Sequence, residues 1–200
     1  WAAVDCGADV PALIYKSTGP DAEAVLFEIL NTRANITSSG MVKSHQGPAA
    51  DLIRTAHALS TSPFYGQVHF GDRDKNHYSA ALLARGLAAV VCNILPIGKI
   101  QDVLGRTDFG LKADKDAESR AAAYLKLVAL VFPANRALHQ VPLVGLGRVA
   151  YLRWKDGGAF PTPKVYERLK KTNWDIITHG LHTLTASPMV EEYVKKIWRG

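Results

Sequence analysis

Apolar residues recur at three- and four-residue spacing along most of the chain, and that period predicts helices nearly throughout. Residues 21–33 follow the start signal Thr18-Gly19-Pro20, carry Asp21 and Glu23 in the first turn, and place Val25, Leu26, Ile29 and Leu30 on one face. The polar stretch 34–47, rich in Ser, Thr, Asn and Gly, reads as a loop. Residues 48–59 form a second helix with Pro48 at its first position and a stripe of Leu52, Ile53, Ala56 and Leu59. Pro63, Gly66 and Gly71 break the pattern over 60–75, where 67–70 reads as a short strand or extended segment.

The longest helix is expected over 76–95. It is apolar on most faces after Leu82, so it should be the central core helix. Pro96 and Gly98 interrupt it, 99–104 reads as a short turn, and 105–113 as a loop. A further helix over 114–132 starts with Asp114, Asp116 and Glu118 and turns Leu125, Val128, Ala129 and Phe132 inward. Residues 134–139 extend it past Pro133 with a kink. Pro142, Gly145 and Gly147 weaken 141–154, which reads as helical from Gly147 on. Asp156-Gly157-Gly158 is a stop. Helices over 162–171, 173–184 and 187–199 complete the chain, the last with a Ser187-Pro188 start and Glu191 and Glu192 in its first turn. The expected fold is all-α: a single compact bundle of about seven to nine helices, irregular near 60–75. An extended arm over 1–16 and a hinge near 157–163 are its expected departures from one helical domain.

Composition supports a folded body. At 48% hydrophobic and 21% charged, the 200 residues suffice for a buried core. The most apolar stretch, about ten residues from Gly86, is shorter than the roughly 20 a membrane span needs, so no membrane is expected as a partner. Cys6 and Cys92 provide no disulfide framework. Free thiols favour a reducing compartment, and an intracellular or virion-like assembly over a secreted protein.

Charge changes the picture more. Residues 120–171 hold ten Lys and Arg against Asp156 and Glu167, a net of +8, whereas the other 148 residues hold 14 bases and 16 acids. Six aromatics lie in the same stretch: Tyr124, Phe132, Tyr151, Trp154, Phe160 and Tyr166. Localised positive charge with interleaved rings suits a polyanion, and nucleic acid is the commonest one. The plainer alternative is solvated helix faces and core rings. Tyr124 and Phe132 fall in an apolar stripe and read as core. Tyr151, Trp154 and Phe160 flank the Gly-Gly turn and are freer to be exposed. The expected nucleic-acid contacts are Arg148, Arg153, Trp154, Lys155, Lys164, Arg168, Lys170 and Lys171. Lys195, Lys196 and Arg199 form a smaller group that also complements a helix C-terminus.

Catalytic and metal patterns are weaker. His69, Asp72, Asp74 and His77 could hold a divalent metal, but the calcium-loop match fails at His77 and Leu83, where Gly and Glu are needed. A charged turn before a helix is the plainer reading. His179 and His182, with Asp175 one turn earlier, lack the Glu of a zinc protease. Cys92 lies in an apolar run that makes a thiol inert, and Gly145-Leu-Gly147 is too short for a phosphate loop. A helix-turn-helix over 162–184 would carry His where readers such as Arg or Asn are needed. The leading expectation is a non-enzymatic, nucleic-acid-binding helical protein without a cofactor, contacting RNA or DNA through the backbone. A self-assembling nucleocapsid- or coat-like subunit, and hence a homo-oligomer, is its concrete form. The alternatives are a small metal-dependent hydrolase built on residues 69–77 and a protein-interaction domain with a basic face.

Overall fold

The computed structural model describes residues 37–71, 78–132, 140–174 and 187–199, with residues 19, 20 and 24 singly. The expected arm over 1–16, the helix over 21–33, the extension over 134–139 and nearly all of 173–184 lie outside the described residues. Within them the protein is an all-α bundle of eight helices, with one pair of two-residue strands. The helices are α1 (Ser38–Ser44), α2 (Pro48–Ala58), α3 (Ala80–Cys92), α4 (Ile100–Ala113), α5 (Ala117–Val131), α6 (Gln140–Lys155), α7 (Pro163–Lys171) and α8 (Ser187–Arg199). Strands β1 (Val68–His69) and β2 (Tyr78–Ser79) pair in parallel, Val68 opposite Tyr78. This places a strand inside the 67–70 run.

α3 is the central helix, as its apolar character predicts. Ten of its residues are buried, and it touches α1, α2, α4, α5 and α6. It is shorter than expected at both ends. Tyr78 and Ser79 are used in β2, and Asn93 closes the helix in the left-handed region (φ 54°), which Asn tolerates. Arg85 donates from Nη1 to Pro96 O and from Nη2 to Gly98 O (2.9 Å), folding the connection back on the helix.

Two expected loops are helices. α1 lies inside 34–47 because Thr37 caps it, its hydroxyl accepting from Gly40 N–H (3.1 Å). Val42 is then fully buried, and Ser39 Oγ meets Ser79 Oγ at 3.0 Å. α4 runs through 105–113, where Gly110 faces close neighbours and Gly105 faces open space. A Cβ on Gly110 would stand 2.6 Å from Cys92 Sγ and 2.8 Å from Val91 Cγ1. Tertiary packing overrides weak local propensity in both cases.

α6 is helical from Gln140, not only from Gly147. It packs on α3, α5 and α8, and its residues 141–147 are all buried. A Cβ on Gly147 would lie 3.0 Å from Gly86 O and from Ala89 Cβ, and one on Gly86 would lie 2.5 Å from the Tyr124 hydroxyl. Tyr124, fully buried on α5, donates to Leu143 O (2.8 Å). Three helices therefore meet at Gly86, Gly147 and one tyrosine. Phe132 is also core, as its stripe predicts, whereas Phe160 is buried rather than exposed.

The N-terminus of α2 is capped across the fold. Gly47, its N-cap, has no side chain to offer, and Asp108 of α4 accepts from Ala49 N–H (2.8 Å) instead. The second Asp108 oxygen meets His45 Nε2 at 2.7 Å. A Cβ on Gly47 would fall 2.1 Å from that oxygen, so glycine is required there for space. Asp108→Ala should cost about 2 kcal/mol, because it orphans a helix-terminal N–H and the His45 ring together. Urea unfolding measures this, and a midpoint equal to wild type would contradict the cap.

Tyr78 supplies a pH test. Its hydroxyl donates to Phe132 O (2.7 Å), and burial pushes its pKa up to about 12. Folding favours the protonated form, so this contribution is whole below the ordinary tyrosine value of about 10. It drains away between there and about 12. Alkaline unfolding of wild type should accelerate in that window, and Tyr78→Phe should flatten the dependence. Parallel alkaline curves for the two proteins would count against it.

Candidate nucleic-acid interface

The basic residues divide between α6, the turn after it, and α7. On α7, Thr162 caps the helix, its hydroxyl accepting from Val165 N–H (3.4 Å), and Pro163 opens it. Val165 and Leu169 are buried. A step of 100° per residue then sets Lys164, Arg168 and Lys171 on one outward flank. Tyr166 and Lys170 fall on the other, with Glu167 between the two. Lys164, Glu167, Arg168, Lys170 and Lys171 are all exposed. Lys170 Nζ lies 5.9 Å from the centre of the Tyr166 ring.

The Arg168 flank opens on a hollow of about 370 Å³ lined by Arg168, Lys171, Thr172, Asn173 and Tyr193. Tyr193 comes from α8. Its ring meets Trp174 edge-on at 6.2 Å, and Trp174 meets Phe132 at 5.1 Å. Trp174 is buried. Three rings thus run from the core to the hollow. Thr172 Oγ donates to Arg168 O (2.8 Å) and fixes the floor against the end of α7.

The α6 residues are engaged within the protein. Arg148 pairs with Glu191 of α8, which is only 7% exposed. Glu191 and Glu192 lie beyond the first turn of α8, one turn deeper than expected. There Glu191 meets Arg148, and Glu192 pairs with Lys195 (2.7 Å). Arg153 is half-buried. Its carbonyl accepts from Gly158 N–H (2.8 Å), and its Nη2 would stand 3.1 Å from a Cβ on Gly158. Trp154 is half-buried, its indole donating to Phe160 O (2.8 Å). Gly157 takes φ +70°, the positive angle a glycine allows at this turn.

Lys155 is exposed and sits 5.5 Å from the Tyr151 ring centre, which Arg120 also approaches at 5.6 Å. Arg120 pairs with Asp114 at 2.6 Å. That hydrogen bond, then the Asp116 N–H, holds the Asp114 carboxyl below the usual carboxylate range, with the charges of Arg120 and Lys155 adding.

Of the eight residues expected from sequence, the fold brings Lys164, Arg168 and Lys171 together, with Lys170 on the opposite flank. Arg148, Arg153 and Trp154 are held by their own contacts, and Lys155 stands on Tyr151. Thr172, Asn173 and Tyr193 join the hollow without having been grouped with it. The only signal was the neighbouring basic cluster on α8, whose Lys196 lies one turn from Tyr193 on the same flank.

No protein-family model, no curated protein and no solved structure matches the chain.

Other chemistry finds little purchase. His69 sits in β1, while Asp72, Asp74 and His77 lie outside the described residues, as do His179, His182 and Asp175. Among the described residues no three of His, Cys, Asp and Glu gather to hold a metal. Burial pushes the Cys92 thiol up, and its sulfur donates to Arg106 O (3.4 Å). Gly145 and Gly147 are interior positions of α6, packed rather than open. No described helix is long and apolar enough to cross a membrane.

The Arg148–Glu191 pair gives a test that separates support from ligand contact. Arg148→Met leaves a buried carboxylate alone and should cost about 3 kcal/mol, and adding Glu191→Leu should recover most of it. Thermal unfolding of the two variants checks this. A single variant as stable as wild type would remove the supporting role.

Proposed function

We propose that the protein is a non-enzymatic nucleic-acid-binding protein that grips the phosphate backbone with α7. The observation that carries this is Lys164. Cations in the last turn of a helix are favoured by its dipole, which accounts for Arg168, Lys170 and Lys171 without any ligand. A cation in the first turn opposes the dipole. Lys164 occupies that turn, no acid lies there, and it continues the flank of Arg168 and Lys171. An external anion explains why the row of bases continues into the first turn at Lys164, where the helix's own field opposes a cation.

A grip on phosphates reads no sequence. That suits a protein that coats nucleic acid along its length, and a self-assembling nucleocapsid- or coat-like subunit is the form we favour. RNA and DNA share the phosphate chemistry involved.

Replacing Arg168, Lys170 and Lys171 together by Ala should weaken binding to all sequences alike. It should also shallow the slope of log K against log salt by roughly 2 to 3, at about 0.7–0.9 per lost contact. Fluorescence anisotropy across a salt series measures both. Unchanged affinity and slope in a folded variant would end the proposal. Light scattering on the wild-type complex reports assembly, expected as mass growing with the length of the nucleic acid.

A further inference from the structure

Resting on that reading, we infer that the hollow at the end of α7 accepts one unpaired nucleotide, making the ligand single-stranded. Four features converge on this. The hollow holds about 370 Å³, near the lower end of the roughly 300–1,000 Å³ typical of small-molecule sites. That is the scale of one nucleotide, whereas the major groove of a duplex is itself about 12 Å wide and its bases present only their edges.

The lining supplies a partner for each part of a nucleotide. Arg168 and Lys171 offer cationic donors for phosphate oxygens. Asn173 carries an amide, a group of the kind that pairs with a base edge or sugar, and the Thr172 oxygen, already donating to Arg168 O, retains acceptor capacity. Tyr193 brings an aromatic ring to the lining, and every base has a face to stack on one.

Tyr193 is also anchored. Trp174 is 5% exposed and leans on Phe132, which is equally buried. A ring braced by two core aromatics loses little freedom when a base stacks on it. Among the described acids, Glu167 lies between the two flanks of α7, and Glu192 is occupied by Lys195.

The fourth feature is where the bases stand. Lys164 lies one and two turns back along the same flank from Arg168 and Lys171, so it is placed for the phosphate preceding the bound nucleotide. Lys196 on α8 is placed for the one that follows. A flexible strand can bend from α7 into the hollow and out along α8, whereas a stiff duplex cannot.

The test compares single-stranded oligouridylate and oligothymidylate with a blunt duplex of equal length, by anisotropy, for wild type, Tyr193→Leu and Tyr193→Phe. Wild type should prefer one or both single strands. Tyr193→Leu should lose about 5- to 150-fold on them, the worth of one stacked base, while keeping the wild-type salt slope because no cation is removed. Tyr193→Phe should bind as wild type. Equal binding to strand and duplex, or an unaffected Tyr193→Leu, overturns the single-strand inference and leaves the phosphate grip standing. Failure to bind any of the probes overturns both. If Tyr193→Leu does not fold, photocross-linking of wild type to iodouracil-containing single strand decides. An adduct on Tyr193 supports the site, and adducts confined to other segments overturn it.

Discussion

The close approach of α3 and α6 is the constraint on which the rest of the molecule depends. Gly147 can come within van der Waals reach of Gly86 O because it carries no side chain, and Gly86 lacks one where the Tyr124 ring stands. Tyr124 then fills the space beside Gly86 and ties α5 to α6 through Leu143 O. Interiors are packed densely enough that one methyl group at either glycine forces a shift of backbone or ring. α6 in turn carries Arg148, which receives α8, and ends in the Gly157–Gly158 turn that delivers α7. The basic surface is therefore positioned by a packed node midway along its own supporting helix.

That node was the least legible part of the sequence. Gly145, Gly147 and Pro142 count against a helix when each residue is priced alone, so α6 read as helical only in its second half. Gly105 and Gly110 had the same effect on α4. In both helices a glycine marks a neighbour's approach, which is a pairwise property and leaves no trace in a single segment's propensity. α3 was legible for the converse reason. A run apolar on nearly all faces has one stable place, the centre. α7 was legible too, because capping by Thr162, Pro163 at the first turn and the Val165–Leu169 pair are all local signals.

The basic surface was legible as charge and not as geometry. Counting bases finds the segment but treats Arg148 and Lys164 alike. The fold separates them, since Glu191, 43 positions later in sequence, occupies Arg148. Phe160 shows the same limit among the rings: beside a Gly-Gly turn it looked exposed, yet its carbonyl accepts from Trp154 and its ring is buried. Tyr193 reaches the hollow from a different helix, and no spacing rule would link it to Lys171.

The division of labour between α6 and α7 follows from burial. A helix packed against three others has little surface left, and bases on it must find internal partners or pay the cost of desolvation. Arg148 follows that rule, and Arg120, on similarly crowded α5, follows it with Asp114. Among the described helices α7 contacts only α5 and α8 strongly, its buried residues are Val165 and Leu169, and its charged residues are exposed. Charges there are hydrated and cheap to hold, which is the condition for exchanging water and counterions for phosphate. Lys164, in the first turn of α7, is the one cation there that its own helix disfavours.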